Sequence, residues 1–90
     1  ANRAAATGAA RAKLDEVCST LAGVLGCTAE IAPARLQAWA QSAGLPDLAA
    51  LGVTPAMHAA IVAAAEAASS MKGNPVSLPP AALRAVLEAA

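Results

Sequence analysis

Residues 14–26, LDEVCSTLAGVLG, carry the pattern that decides the fold class. Their apolar side chains recur at steps of three and four residues, which places them on one face of a 3.6-residue helix. The members of this face are Leu14, Val17, Cys18, Leu21, Val24 and Leu25. Gly26 is expected to end the helix, because glycine readily adopts the left-handed conformation of a helix C-terminus.

The same periodicity continues beyond Gly26. Pro33 suits the first turn of a second helix, which is predicted to run to Gly44. The apolar face of this helix comprises Leu36, Trp39, Ala40 and Ala43. A short turn of helix is expected through Leu48 and Leu51.

Two more helices are predicted in the second half of the chain. Thr54 and Pro55 form a start signal, because the hydroxyl can cap the first turn and proline suits the first helical position. Lys72 and Gly73 are expected to form the last turn and its left-handed cap. Two prolines at residues 79–80 open the final helix. Since nothing alternates with period two, the sequence predicts an all-α bundle of four main helices and one short helix.

Composition predicts a small core. The 90 residues are 58% hydrophobic, yet about a third are alanine and only about twenty are Leu, Val, Ile, Met or Trp. A single core in a chain of this size seldom supplies more than about 3–5 kcal/mol of stability. We therefore expect residues 1–90 to form one helical domain or subdomain that needs a neighbouring part of a larger protein for its stability.

Charge and hydropathy exclude several classes of protein. Six basic and six acidic residues balance without forming runs, so the sequence contains no cluster of positive charge of the kind that binds nucleic acid. The longest apolar stretch, residues 59–68, contains Glu66 and falls short of the roughly 20 residues needed to span a membrane. Residues 1–13 contain no apolar signal region, so a cytoplasmic protein with reduced thiols is expected.

Metal-ligating and catalytic patterns are missing from the sequence. Cys18 and Cys27 lack CxxC spacing, and Cys18 is expected to be a small buried hydrophobic residue. His58 is the only histidine, and no second ligand stands three or four residues away, so a packing or surface role is favoured over a metal ligand. Gly23 and Gly26 do not form a phosphate-binding GxGxxG loop. We therefore assign no catalytic, cofactor-binding or metal-binding residue.

The order of two segments resembles a known family. Residues 44–53, GLPDLAALGV, precede a helix, and residues 69–75, SSMKGNP, precede a final helix. This order resembles the C-terminal helical region of iron-containing alcohol dehydrogenases over about residues 10–90. The resemblance implies that residues 1–90 are a fragment of a larger two-domain enzyme and form the C-terminal part of its dehydroquinate-synthase-like helical domain.

The resemblance also implies a chemistry that this chain does not perform alone. The parent enzyme would be a homo-oligomeric alcohol and aldehyde oxidoreductase that uses NAD or NADP and iron or another divalent metal. The metal would polarise the substrate oxygen during hydride transfer. Its ligands and the nucleotide-binding region would lie upstream, and these regions would be the partners of residues 1–90.

Three residues are expected to line the substrate cleft of such an enzyme. The resemblance places Ser70, Met71 and Asn74 beside the alcohol pocket, although serines at a helix end and an Asn-Pro turn are also ordinary capping chemistry. Trp39 could act as a stacking platform, but its helical spacing from Leu36 favours packing in the core or between domains.

Two functions from different classes remain open. The first is a helical part of a dehydrogenase that completes the metal-domain core and forms one wall of the cleft. The second is a free-standing helical interaction module without catalytic activity. The alanine-rich core and the order of the two motifs favour the first.

Overall fold

The computed structural model describes all 90 residues and is entirely helical. Two short 3-10 helices accompany the α-helices, at Pro55–Met57 and Ser69–Gly73. The α-helices are α1 (Asn2–Ala5), α2 (Gly8–Leu25), α3 (Ala32–Ser42), α4 (His58–Ala67) and α5 (Pro80–Ala89). The predicted all-α class and its four main helices are therefore confirmed. None of these helices combines the length and apolar character needed to cross a lipid bilayer.

The chain divides into two compact units. The hairpin unit comprises Ala6–Leu45, and the terminal unit joins Ala1–Ala5 to Pro46–Ala90. In the hairpin unit, α2 and α3 pack against each other. Cys18 and Ala22 of α2 are buried, and Cys18 is a free thiol, as the sequence predicts.

Gly26 ends α2 in the predicted left-handed conformation. Its backbone has φ 64° and ψ 42°, and its N–H donates to the Ala22 carbonyl oxygen. The N–H of Cys27 donates to the same oxygen at 3.1 Å. These two bonds satisfy a carbonyl that the helix itself leaves without a partner.

Alanine substitutions at the two glycines of α2 are expected to have opposite effects. Gly26→Ala should lower the free energy of unfolding by about 1–2 kcal/mol, because a Cβ is strained in the left-handed region. Gly23 lies inside the helix with no atom within 4 Å of a Cβ placed there. Gly23→Ala should therefore raise stability by about 0.5–1 kcal/mol. Urea unfolding of both variants measures the difference, and a shift of the same sign in both would contradict this account.

The terminal unit is built around the contact between α4 and α5. Val62 of α4 and Leu83 of α5 are buried, each only 8% exposed. The N–H of Leu48 donates to the Ala90 carbonyl oxygen at 3.1 Å, which ties the start of this unit to the end of the chain. The only other buried residue of this unit is His58.

The predicted short helix at Leu48 and Leu51 is wrong. The segment is a turn in which the Asp47 side chain accepts from the Ala50 N–H at 2.7 Å. Gly52 then takes φ 90°, which ends the turn before a helix can propagate. The fifth α-helix is instead α1, which the apolar spacing does not reveal.

The predicted helix between Thr54 and Gly73 is broken into three pieces. Ala68 is extended, with ψ 134°, and separates α4 from the 3-10 helix Ser69–Gly73. Serine hydroxyls compete for backbone hydrogen bonds, which disfavours a continuous α-helix here. Gly73 does not have a positive φ, so the predicted left-handed cap is wrong. The Thr54 backbone is extended as expected, but its hydroxyl makes no capping bond.

Candidate functional site

A cleft of about 300 Å³ opens in the terminal unit beside the second 3-10 helix. Its lining residues are Glu66, Met71, Lys72, Asn74, Val76, Ser77 and Leu78. Met71 and Asn74 are among these lining residues, and their place beside a substrate stays a prediction. Ser70 is exposed and does not contribute to the lining.

Polar and apolar side chains both line this cleft. Met71, Val76 and Leu78 are half-buried, whereas Glu66 and Lys72 are exposed and carry opposite charges. The lining therefore offers both apolar contact and charged groups.

Asn74 holds the cleft wall through a network of hydrogen bonds. Its side-chain Nδ2 donates to the Oδ1 of Asn2 at 2.8 Å and to the Val76 carbonyl oxygen at 2.6 Å. Its Oδ1 accepts from the Nδ2 of Asn2 at 2.7 Å. Since both N–H donors of Asn74 are occupied, this side chain shapes the cleft and does not donate to a ligand.

The sequence patterns do not identify Asn2 as a residue of this region. It stands 72 positions before its partner, and no local spacing connects the two. The Val76 carbonyl only accepts, so it fixes which atom of the Asn74 amide is nitrogen. Because the two amides pair, this assignment also fixes which atom of the Asn2 amide is nitrogen.

His58 lies in the core at the start of α4. Only 7% of the residue is exposed, and its Nδ1 is buried without a hydrogen-bond partner. The structure brings together no group of three or more His, Cys, Asp or Glu side chains that could hold a metal ion. Of the two roles expected for His58, packing or surface, its burial corresponds to packing, and its Nδ1 is not exposed to solvent.

Replacing His58 with leucine is expected to leave the chain as stable or to stabilise it by about 1 kcal/mol. A buried polar atom without a partner carries an uncompensated desolvation cost of about 1–3 kcal/mol, which leucine removes at similar volume. Urea unfolding measures the change. A loss of more than about 2 kcal/mol would show that the imidazole makes an interaction that leucine cannot replace.

Trp39 lies on the surface of the hairpin unit. It is 57% exposed, so the prediction that it packs in a core is wrong within this chain. With Leu25, Arg35, Ala38 and Ser42 it lines a shallow depression of about 310 Å³. Its expected packing between domains stays a prediction.

A comparison with models of known protein families finds no match for this chain, and comparisons with curated proteins and with solved structures find none either. The functional interpretation therefore rests on the order of the sequence motifs and on the geometry of the cleft. Both involve the same segment, residues 69–75.

Proposed function

We propose that this chain is the C-terminal helical part of a metal-dependent, NAD(P)-linked alcohol dehydrogenase. In that enzyme it completes the core of a dehydroquinate-synthase-like metal domain and supplies one wall of the substrate cleft. The observation that carries the proposal is the cleft at residues 66–78, which lies on the SSMKGNP segment. This is the segment that, after GLPDLAALGV, resembles the end of iron-containing alcohol dehydrogenases.

The residues of this chain do not fit the metal or the nucleotide. The only histidine has a buried Nδ1, and no cluster of metal-ligating side chains forms. The metal ligands and the phosphate-binding loop therefore belong to the upstream part of the enzyme. The upstream regions are the partners of this chain, in an assembly expected to be homo-oligomeric.

The side chains of the cleft have distinct roles in this proposal. Met71, Val76 and Leu78 contact the hydrocarbon part of the alcohol and exclude water from it. Lys72 and Glu66 also line the cleft and remain exposed to solvent. Asn74 holds the wall, because its amide donors are already occupied.

Exposed apolar side chains support a place within a larger protein. Nine large hydrophobic residues are at least 41% exposed, whereas the buried core is small. On the hairpin unit, Val24 is 80% exposed and Val17 is 62% exposed. Apolar surface of this kind is stabilised when a neighbouring domain removes it from water.

The second candidate is a free-standing helical interaction module. The exposed Val24 and Trp39 of the hairpin unit favour it, because a partner helix could dock on them. This alternative leaves the cleft of the terminal unit without a role. The dehydrogenase proposal accounts for both features.

The mass of the natural gene product tests the proposal. The product would be captured from its source with an antibody against this segment and measured by intact mass spectrometry. A species several times heavier than 8.7 kDa is expected. That species should oxidise alcohols with NAD or NADP in a metal-dependent way, whereas residues 1–90 alone should be inactive with any added metal. A natural product of about the mass of this chain would remove the dehydrogenase proposal and leave the interaction module.

A further inference from the structure

We infer that Asn2 is a positioning residue for the cleft: its carboxamide pairs with Asn74 and thereby sets the size of the alcohol that the cleft accepts. This inference rests on the proposed function. It concerns a residue remote in sequence from the motifs that suggested the site. Four hydrogen bonds connect Asn2 to the cleft wall, two between Asn2 and Asn74 and two within residues 71–76.

The contact between Asn2 and Asn74 is a reciprocal amide pair. Each side chain donates one N–H and accepts one, at 2.7 and 2.8 Å, and the bonds are partly buried. Helix α1 has only four residues and none of them is buried. A helix this short is not stable by itself, so tertiary contacts such as this pair must hold it in place.

Asn74 connects its contact with Asn2 to the wall of the cleft through two further hydrogen bonds. Its Nδ2 donates to the Val76 carbonyl oxygen at 2.6 Å, across Pro75. Its backbone N–H donates to the Met71 carbonyl oxygen at 3.1 Å. Asn74 is therefore joined to the two apolar wall residues nearest it, Met71 on one side and Val76 on the other.

Loss of the Asn2 amide would release one side of this turn. Asn74 would keep its bonds to Met71 and Val76, but its orientation would no longer be fixed from α1. Val76 and Leu78 lie on the segment that follows, and both line the cleft. Their displacement would change the space beside Met71, which affects bulky alcohols more than small ones.

The experiment uses the full-length enzyme with Asn2→Ala, Asn2→Asp, Asn74→Ala and the double alanine variant. Asn2→Asp keeps the size and one acceptor but places a carboxylate oxygen against the Asn74 Oδ1. Thr7→Ala is the matched control, since Thr7 is exposed and makes no side-chain capping bond. Two readouts are compared: the ratio of kcat/KM between a short and a branched alcohol, and trypsin cleavage after Lys72 relative to cleavage after Arg35.

We expect the kcat/KM ratio and the cleavage at Lys72 each to change about tenfold in both Asn2 variants, as the loss of a pair of partly buried hydrogen bonds implies. The control should leave both unchanged. The double variant should match Asn74→Ala, because residues acting through one contact are not additive.

Two results would overturn the inference. One is an unchanged kcat/KM ratio in an active Asn2→Asp enzyme, which would show that the pair of Asn2 and Asn74 has only a structural role. The other is additivity of the two alanine substitutions. A wild-type protein that oxidises no alcohol would end the dehydrogenase proposal by itself. In that case trypsin cleavage decides whether Asn2 holds the wall: an increase at Lys72 upholds the positioning of residues 74–78, and unchanged cleavage overturns it.

Discussion

Alanine in place of Leu83 is expected to unfold the 90-residue chain. Leu83 of α5 and Val62 of α4 are each 8% exposed, and the two helices pack against each other. Removing a buried leucine side chain costs about 2–5 kcal/mol. Since a core of this size supplies about 3–5 kcal/mol in total, most of the stability of the chain would be lost. Far-ultraviolet circular dichroism during urea unfolding measures the effect.

Val86 on the same helix provides the control for Leu83. It is 47% exposed, so Val86→Ala should change the free energy of unfolding by no more than about 0.5 kcal/mol. Both substitutions place alanine, a good helix former, in α5, so helix propensity does not explain a difference between them. Equal losses in the two variants would contradict the small core described for the terminal unit.

The helices that could be predicted are those whose signals are local. The apolar spacing before Gly26 and the glycine itself lie on adjacent turns, and the structure shows the same helix with the same end. The last helix is likewise opened by two prolines and begins at Pro80. Such features depend on backbone preferences within a few residues, which a sequence displays directly.

The break at Ala68 could not be predicted in the same way. Residues 58–73 keep a helical composition, and only the extended backbone of Ala68 separates α4 from the following 3-10 helix. Serine hydroxyls compete with the helix for backbone hydrogen bonds, but this preference is weak and does not indicate at which residue the helix ends. The error is one of helix continuity, and the all-α class is unaffected by it.

Only part of the candidate site could be predicted from the sequence. Met71 and Asn74 line a cleft of the terminal unit, while the prediction that they line a substrate cleft stays a prediction. Glu66 and Leu78 also line the cleft, because the chain bends between these two residues. No short sequence motif indicates that bend. Asn2 reaches the same region from 72 residues away, and only the fold brings it to Asn74.

Trp39→Ala is expected to have a small effect on the isolated chain and a large one on the complete enzyme. In residues 1–90 the side chain is 57% exposed, so its removal should cost no more than about 1 kcal/mol. If an upstream domain covers the hairpin unit, the same substitution removes a buried aromatic side chain, which costs about 3–5 kcal/mol. Thermal unfolding of both proteins with and without the substitution measures the difference.

Trp39→Phe separates packing from a specific requirement for the indole ring. Phenylalanine keeps most of the apolar area, so it should retain more than half of the stability lost in Trp39→Ala. Leu45→Ala, at a residue 61% exposed in the connection after α3, reports on a second position of the same unit. A small loss of stability on replacing Trp39 in the complete enzyme would mean that this face is exposed to solvent there. That result would contradict a contact between the hairpin unit and an upstream domain.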